Sequence, residues 1–301
     1  MPGGTLGPVL LGTASWTDPS LLRSGWYPSG VTSAEERLQY YSARFPLVEV
    51  DSTYYFMPAE RNAELWIERT PEHFVFHVKA FSLMTLHPTK AEAIPKGLPR
   101  PEGKARLYPK DLDSAVVDEV WDRFLSAVRP LHAAGRMGAI LFQFPPWFGI
   151  NRDNKQYLLE CSRRCGDLPI CVEFRNSSWL SERNQAETVE FLEGYGLPLV
   201  CVDMPQGFRS SLPPLVAATA GLAVVRFHGR NAEEWESGSV QRRFRYLYSD
   251  EELAEWVPKI SSLAEQAERT HVLMNNCYAD YAPRNAAQLA DLLRREGVTV
   301  A

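Results

Sequence analysis

The stretch LAVVRFHGRN, residues 222–231, decides how the rest of the chain is read. A run of apolar β-formers carries Arg226, then His228 two residues later, and stops at Gly229. Side chains alternate across a strand, so Arg226 and His228 share one face while Val225 and Phe227 share the other. Two polar groups at the end of a buried strand are costly unless they are paired or used.

Seven more runs have the same character: VLLGTAS (9–15), LVEVDST (47–53), FVFHVKA (74–80), GAILFQFP (138–145), ICVEFR (170–175), LVCVDM (199–204) and HVLMNN (271–276). The segments between them mostly have helical periodicity. Ser33 followed three residues later by Glu36 is a capping-box pattern, and glycines such as Gly135 stand where helices should end. Strands alternating with helices predict a parallel sheet, and eight such units predict an α/β fold of the TIM type, a (β/α)8 barrel in a single domain over 1–301. No G-x-G-x-x-G follows any strand, so an open nucleotide-binding sheet lacks its signature.

The strand ends then form a pattern. Glu49 and Asp51 share a face, as do His77 and Lys79, and Glu173 and Arg175. Gln143 and Asp203 stand at the corresponding points of the fourth and sixth strands, with Asn275 or Asn276 on the eighth. The opposite faces are apolar (Val48, Val50, Phe76, Val78, Val172, Phe174), so the polar set is expected to point into the barrel near its C-terminal mouth. Arg175, Arg226 and Lys79 suit a phosphate or carboxylate. Glu173, Asp203, Glu49 and Asp51 are candidate general acids or bases, and His228 suits either role. Aromatic residues beside these ends, Trp16, Tyr54 and the PPWF turn (145–148), are candidates for stacking on a ring. Two long connections, 81–113 and 229–250, leave C-terminal strand ends and are expected to lie over the mouth; the first is rich in Lys and Arg, and the second contains QRRFRYLY.

Bulk properties limit the alternatives. A net charge of −5 argues against a protein that coats nucleic acid with bulk positive charge, though not against a local basic patch. No apolar run reaches the length of a membrane span, and the N-terminus lacks a charged leader, so no membrane partner and a cytoplasmic location are expected. Five cysteines have no metal-type spacing, which fits reduced thiols. Of six histidines only His77 and His228 fall at strand ends; no cofactor is expected, and His228 with nearby carboxylates is the set that would hold a divalent metal.

The segments GTASW, VEVDSTYYFMP, FVFHVKAF, LFQFPPWF, CVEFRNSSWL, CVDMPQG, VVRFHGRNAEEW, YLYSDEEL and MNNCYADYAPRNA resemble, in order, the motifs of the YecE-like family, domain of unknown function 72. The resemblance runs from about residue 9 to 293 and implies a (β/α)8-type barrel. It implies that Glu49, Lys79, Gln143, Glu173, Arg175, Asp203, Arg226, His228, Arg230 and Asn276 match family motif positions. Asp51 departs from the pattern by standing where asparagine is expected, Ser15 replaces a glycine, and Leu86 replaces a threonine before His87. The family has no settled activity. Three functions compete: an acid–base enzyme, hydrolase or isomerase, on a small anionic ligand such as a phosphate, sugar phosphate or nucleotide; a nucleic-acid-binding protein without turnover; and a scaffold whose internal ion pairs are architectural.

Overall fold

The computed structural model describes residues 7–301; the first six, read above as free of a leader, lie outside the described residues. The eight β-runs form strands β1 (Val9–Thr13), β2 (Leu47–Val50), β3 (Val75–Lys79), β4 (Met137–Gln143), β5 (Ile170–Glu173), β6 (Val200–Asp203), β7 (Leu222–Phe227) and β8 (Arg269–Met274). Every neighbouring pair is parallel, in the order β5-β4-β3-β2-β1-β8-β7-β6. The remaining gap between β5 and β6 is narrow. A parallel bridge between Val172 and Leu199 spans it, with Val172 N donating to Pro198 O at 2.9 Å.

Helices follow the strands on the outside, among them Ala34–Ser42, Glu60–Glu68, Ser114–Ala133, Arg152–Cys165, Gln185–Gly194, Val257–Gln266 and Tyr281–Arg295. The capping box is present: Ser33 Oγ accepts from Glu36 N at 3.1 Å, and Glu36 Oε2 accepts from Ser33 N at 2.8 Å. Gly135 takes a left-handed φ of +68° just past the long helix, a conformation open to it because it has no Cβ. The unit between β6 and β7 departs from the regular pattern, since residues 204–221 contain no helix.

The outward strand faces carry the main core. Val48, Phe76, Phe142, Val172, Val225 and Phe227 are fully buried against the helix layer, where Trp121 stacks on Phe142 at 5.8 Å. Each such side chain contributes about 1.5–3 kcal/mol by leaving water. The lumen differs in kind: beside Leu and Val it holds His77 and His271, whose rings meet at 2.8 Å between Nε2 and Nδ1.

The two long connections behave differently. Residues 81–113 fold into 3-10 turns and a short antiparallel ribbon pairing Thr89–Lys90 with Arg106–Leu107. Most of its basic side chains are used locally, as in Lys104–Asp111 at 2.7 Å and Arg100 donating to Ala91 O at 2.7 Å. Residues 229–250 instead bring Trp235, Arg243 and Phe244 to the barrel mouth.

Candidate active site at the barrel mouth

A chain of ion pairs crosses the lumen below the mouth. Arg226 donates to Glu49 Oε1 at 2.7 Å on one side and to Glu173 Oε2 at 2.5 Å on the other. Glu173 Oε1 accepts from Arg175 Nε at 2.6 Å and lies 3.2 Å from His228 Nε2. Arg175 and Lys79 both donate to Gln143 Oε1, at 3.3 and 3.2 Å. His228 Nδ1 accepts from Asn275 Nδ2 at 2.8 Å. Strand alternation brings these groups together, because Glu49, Gln143, Glu173 and Arg226 all lie on the inward parity of their strands.

Above this layer opens a cavity of about 600 Å3. Glu49, Asp51, Tyr54, Lys79, Gln143 and Arg175 line it, as the strand ends predict. Glu173, Arg226 and His228 do not reach it. They lie beneath its floor, each 1% exposed or less, and hold the groups that do.

Four expectations are corrected. Asp203 is not in the lumen: β6 pairs Val202 with Arg226 and Asp203 with Phe227, so Asp203 takes the outward parity. There it accepts from Tyr248 Oη at 2.6 Å, Trp256 Nε1 at 2.7 Å and Arg230 Nη2 at 2.8 Å, which occupies its carboxylate. Arg230 is thereby drawn away from the cavity and also binds Glu255 at 2.8 Å. Asn276 is fully buried behind the mouth, donating to Tyr246 O at 2.9 Å and Asn285 Oδ1 at 2.8 Å, and it is Asn275 that lines the cavity. Trp16 is buried edge-on against Trp66 at 6.3 Å and does not line the cavity.

The surroundings sort the ionisable groups by protonation. Burial opposes the charge on Glu173, but Arg175, Arg226 and His228 overcome it and hold the carboxyl well below its usual range. For Glu49, burial prevails over Arg226 and Lys79, and its affinity for a proton rises. Burial and then the charge of Glu49 push Asp51 up to about 6. Burial and then Arg226 pull Lys79 down to about 8. Burial and then Arg175 pull His228 down to about 3, so its imidazole is neutral at physiological pH. Asp51 and Lys79 are thus shifted toward neutrality from opposite sides.

Several lining residues carry no strand signal: Asp18, Arg209, Trp235 and Cys277 come from turns beyond the strand ends. Arg175 and Arg243 both stand near the Trp235 ring, at 5.7 and 5.4 Å from its centroid. Lys79 Nζ lies 4.7 Å from the centroid of Tyr54, and His87 packs edge-on between Tyr54 and the exposed Trp147. Among the described residues no group of three or more His, Cys, Asp or Glu is arranged to hold a metal, and no helix is long and apolar enough to cross a membrane.

Comparison with known proteins gives a consistent result. Residues 10–300 match a family model described as "Protein of unknown function DUF72". The UPF0759 protein YunF of Bacillus subtilis is 34% identical over 291 residues, which cover 95% of this chain and 94% of the relative. A DUF72 structure from Thermotoga maritima superposes with TM-score 0.76 at 32% identity, covering 96% of this chain and 100% of that one. Another from Enterococcus faecalis gives TM-score 0.79 at 27% identity, covering 95% of each chain. Extent, motif order and barrel agree, and the chain belongs to the DUF72 family.

Proposed function

We propose that the mouth cavity binds a small phosphorylated or otherwise anionic ring compound and carries out acid–base chemistry on it. The observation that carries this reading is a contrast between the cations. Below and behind the cavity, Arg226 meets two carboxylates and Arg230 three. At the cavity wall Lys79, Arg209 and Arg243 have no carboxylate within 4 Å among the described residues. Guanidinium and ammonium groups left unpaired in a concave site are ready for an anion, and Tyr54 and Trp235 offer faces for a ring. Asp51 and Lys79 supply the proton carriers.

Calorimetry with sugar phosphates and nucleotides against their dephosphorylated parents tests the reading. Phosphate-dependent binding is expected, weakened at least tenfold in Arg243→Ala and in Lys79→Met. Asp51→Asn is expected to keep phosphate-dependent binding and lose turnover. Equal binding of the dephosphorylated parents would overturn the proposal.

A second reading, single-stranded nucleic acid held without turnover, is favoured by the exposed aromatic residues Tyr55, Phe56 and Trp147. Against it, Arg242 is paired with Glu234 at 3.4 Å and most basic residues of 81–113 are used locally. Salt-sensitive binding of an oligonucleotide that falls in Trp147→Ala would support this reading over the first.

A further inference from the structure

The charges around the cavity are sorted by strand. In the sheet β8, β1 and β2 are consecutive, and the ends of β1 and β2 lead into Asp18, Glu49 and Asp51. Across the mouth β5, β6 and β7 are consecutive, and the connections after them supply Arg175, Arg209 and Arg243. The cavity thus has an acidic arc facing a basic one. Lys79 stands between the arcs, on Gln143 and against Tyr54, outside ion-pair distance of any acid among the described residues. Glu236 is the acid on the basic side, and it is exposed at the outer lip.

Within the acidic arc Glu49 has Arg226 as counter-ion through its Oε1, whereas the other two acids have none among the described residues. No Lys or Arg lies within 4 Å of Asp18 or Asp51 among the described residues. A separate observation points the same way: Glu49 is fully buried, and its Oε2 has no hydrogen-bond partner among the described residues. A buried carboxylate oxygen without a donor is unfavourable, and this one belongs to a residue lining the cavity. A ligand hydroxyl would satisfy that oxygen but leave the charges of the arc unbalanced. An ammonium group does both, with three N–H donors and a positive charge.

We propose that the ligand is dipolar: a small ring compound whose ammonium group lies against Asp18, Glu49 and Asp51 while its phosphate or carboxylate lies against Arg175, Arg209 and Arg243. The proposal rests on the anionic-ligand reading above and adds the opposite charge at the opposite wall. Such a ligand is aligned across the cavity by its own dipole. Its ammonium end is placed beside Asp51, whose proton affinity burial and Glu49 raise to about 6.

Three probes separate the two readings by calorimetry at pH 7.5: glucosamine 6-phosphate, glucose 6-phosphate and glucosamine. The expected result is binding of glucosamine 6-phosphate at least tenfold tighter than of either other probe. Asp51→Asn should reduce its advantage over glucose 6-phosphate to less than threefold, and Arg243→Ala should reduce its advantage over glucosamine. Circular dichroism and thermal unfolding of each variant establish that it is folded. Equal affinity for the two phosphates overturns the dipolar assignment and leaves the anionic one standing. Equal affinity for glucosamine and its phosphate overturns the anionic assignment. No saturable binding of any probe overturns both.

Discussion

Arg226 on β7 and Glu49 on β2 meet at 2.7 Å across the barrel lumen, although β1 and β8 separate their strands in the sheet. The bond ties opposite walls together, and Glu173 continues it to β5. Arg226 is the centre of this arrangement, with burial opposing its charge but Glu173 and Glu49 keeping it firmly cationic.

Removing that centre leaves buried Glu49 without its ion-pair partner and leaves Glu173 with Arg175 and His228 alone. Arg226→Met is expected to lower stability by about 3–5 kcal/mol in urea unfolding. Combining it with Glu49→Gln should recover part of the loss, because one stranded charge is then removed. An Arg226→Met protein as stable as wild type would show that the chain of pairs is not structural.

Asp51 is expected to cost stability at neutral pH. Its folded value near 6 lies above the ordinary 3.8, so the folded protein holds a proton that the unfolded chain has released between those values. The resulting stabilisation is complete below 3.8 and is lost as pH rises through 6. Asp51→Asn should therefore be more stable than wild type by about 1–3 kcal/mol at pH 8, the difference vanishing toward pH 4. Urea titrations at the two pH values measure it. A residue that lowers both stability and, when replaced, turnover fits a functional site.

Acid should destabilise the fold through its histidines. Burial is the largest cause lowering the proton affinity of His77, His87, His228 and His271, the last three to about 3. Between those values and the ordinary 6.5 the unfolded chain binds protons that the folded one refuses. Stability is then full above 6.5 and falls as pH drops. Glu49 and Asp51 offset part of this, leaving a slope on the order of 2–3 kcal/mol per pH unit between pH 6 and 4.5. Denaturant titrations across that range give the slope directly.

Two glycines are set by close approach inside the barrel. A Cβ at Gly12 would stand 1.9 Å from the Leu47 carbonyl oxygen, a backbone atom that cannot move without separating β1 from β2. A Cβ at Gly138 would stand 2.6 Å from the His77 ring, a side chain with some room to yield only by breaking its contact with His271. Gly12→Ala is expected to prevent recovery of folded protein. Gly138→Ala should fold with a loss of about 1–3 kcal/mol, read from thermal unfolding.

The eight strands, their parallel closure and the inward set of Glu49, Lys79, Gln143, Glu173, Arg175 and Arg226 are legible from alternation, because period two within a strand is local information. Asp203 shows where that information stops. Parity counted back from a strand end says nothing about which residue of the next strand it faces, and β6 is registered with Val202, not Asp203, beside Arg226. Asn275 and Asn276 raise the same difficulty at the end of β8, where both readings fit the sequence until His228 is seen to take Asn275 as its donor.

Residue order along this chain was sufficient for the barrel and for a polar ring at its mouth, since both follow from short-range periodicity repeated eight times. It was not sufficient to separate floor from wall. Glu173 and His228 look as reactive in sequence as Glu49 and Lys79, yet the fold seals the first two beneath the cavity and leaves the second two facing it. Asp18, Arg209 and Arg243 reach the same cavity from three different connections beyond the strand ends. Their meeting depends on closure of the sheet, which brings together residues that are far apart in the chain and sets the sign of charge on each side of the mouth.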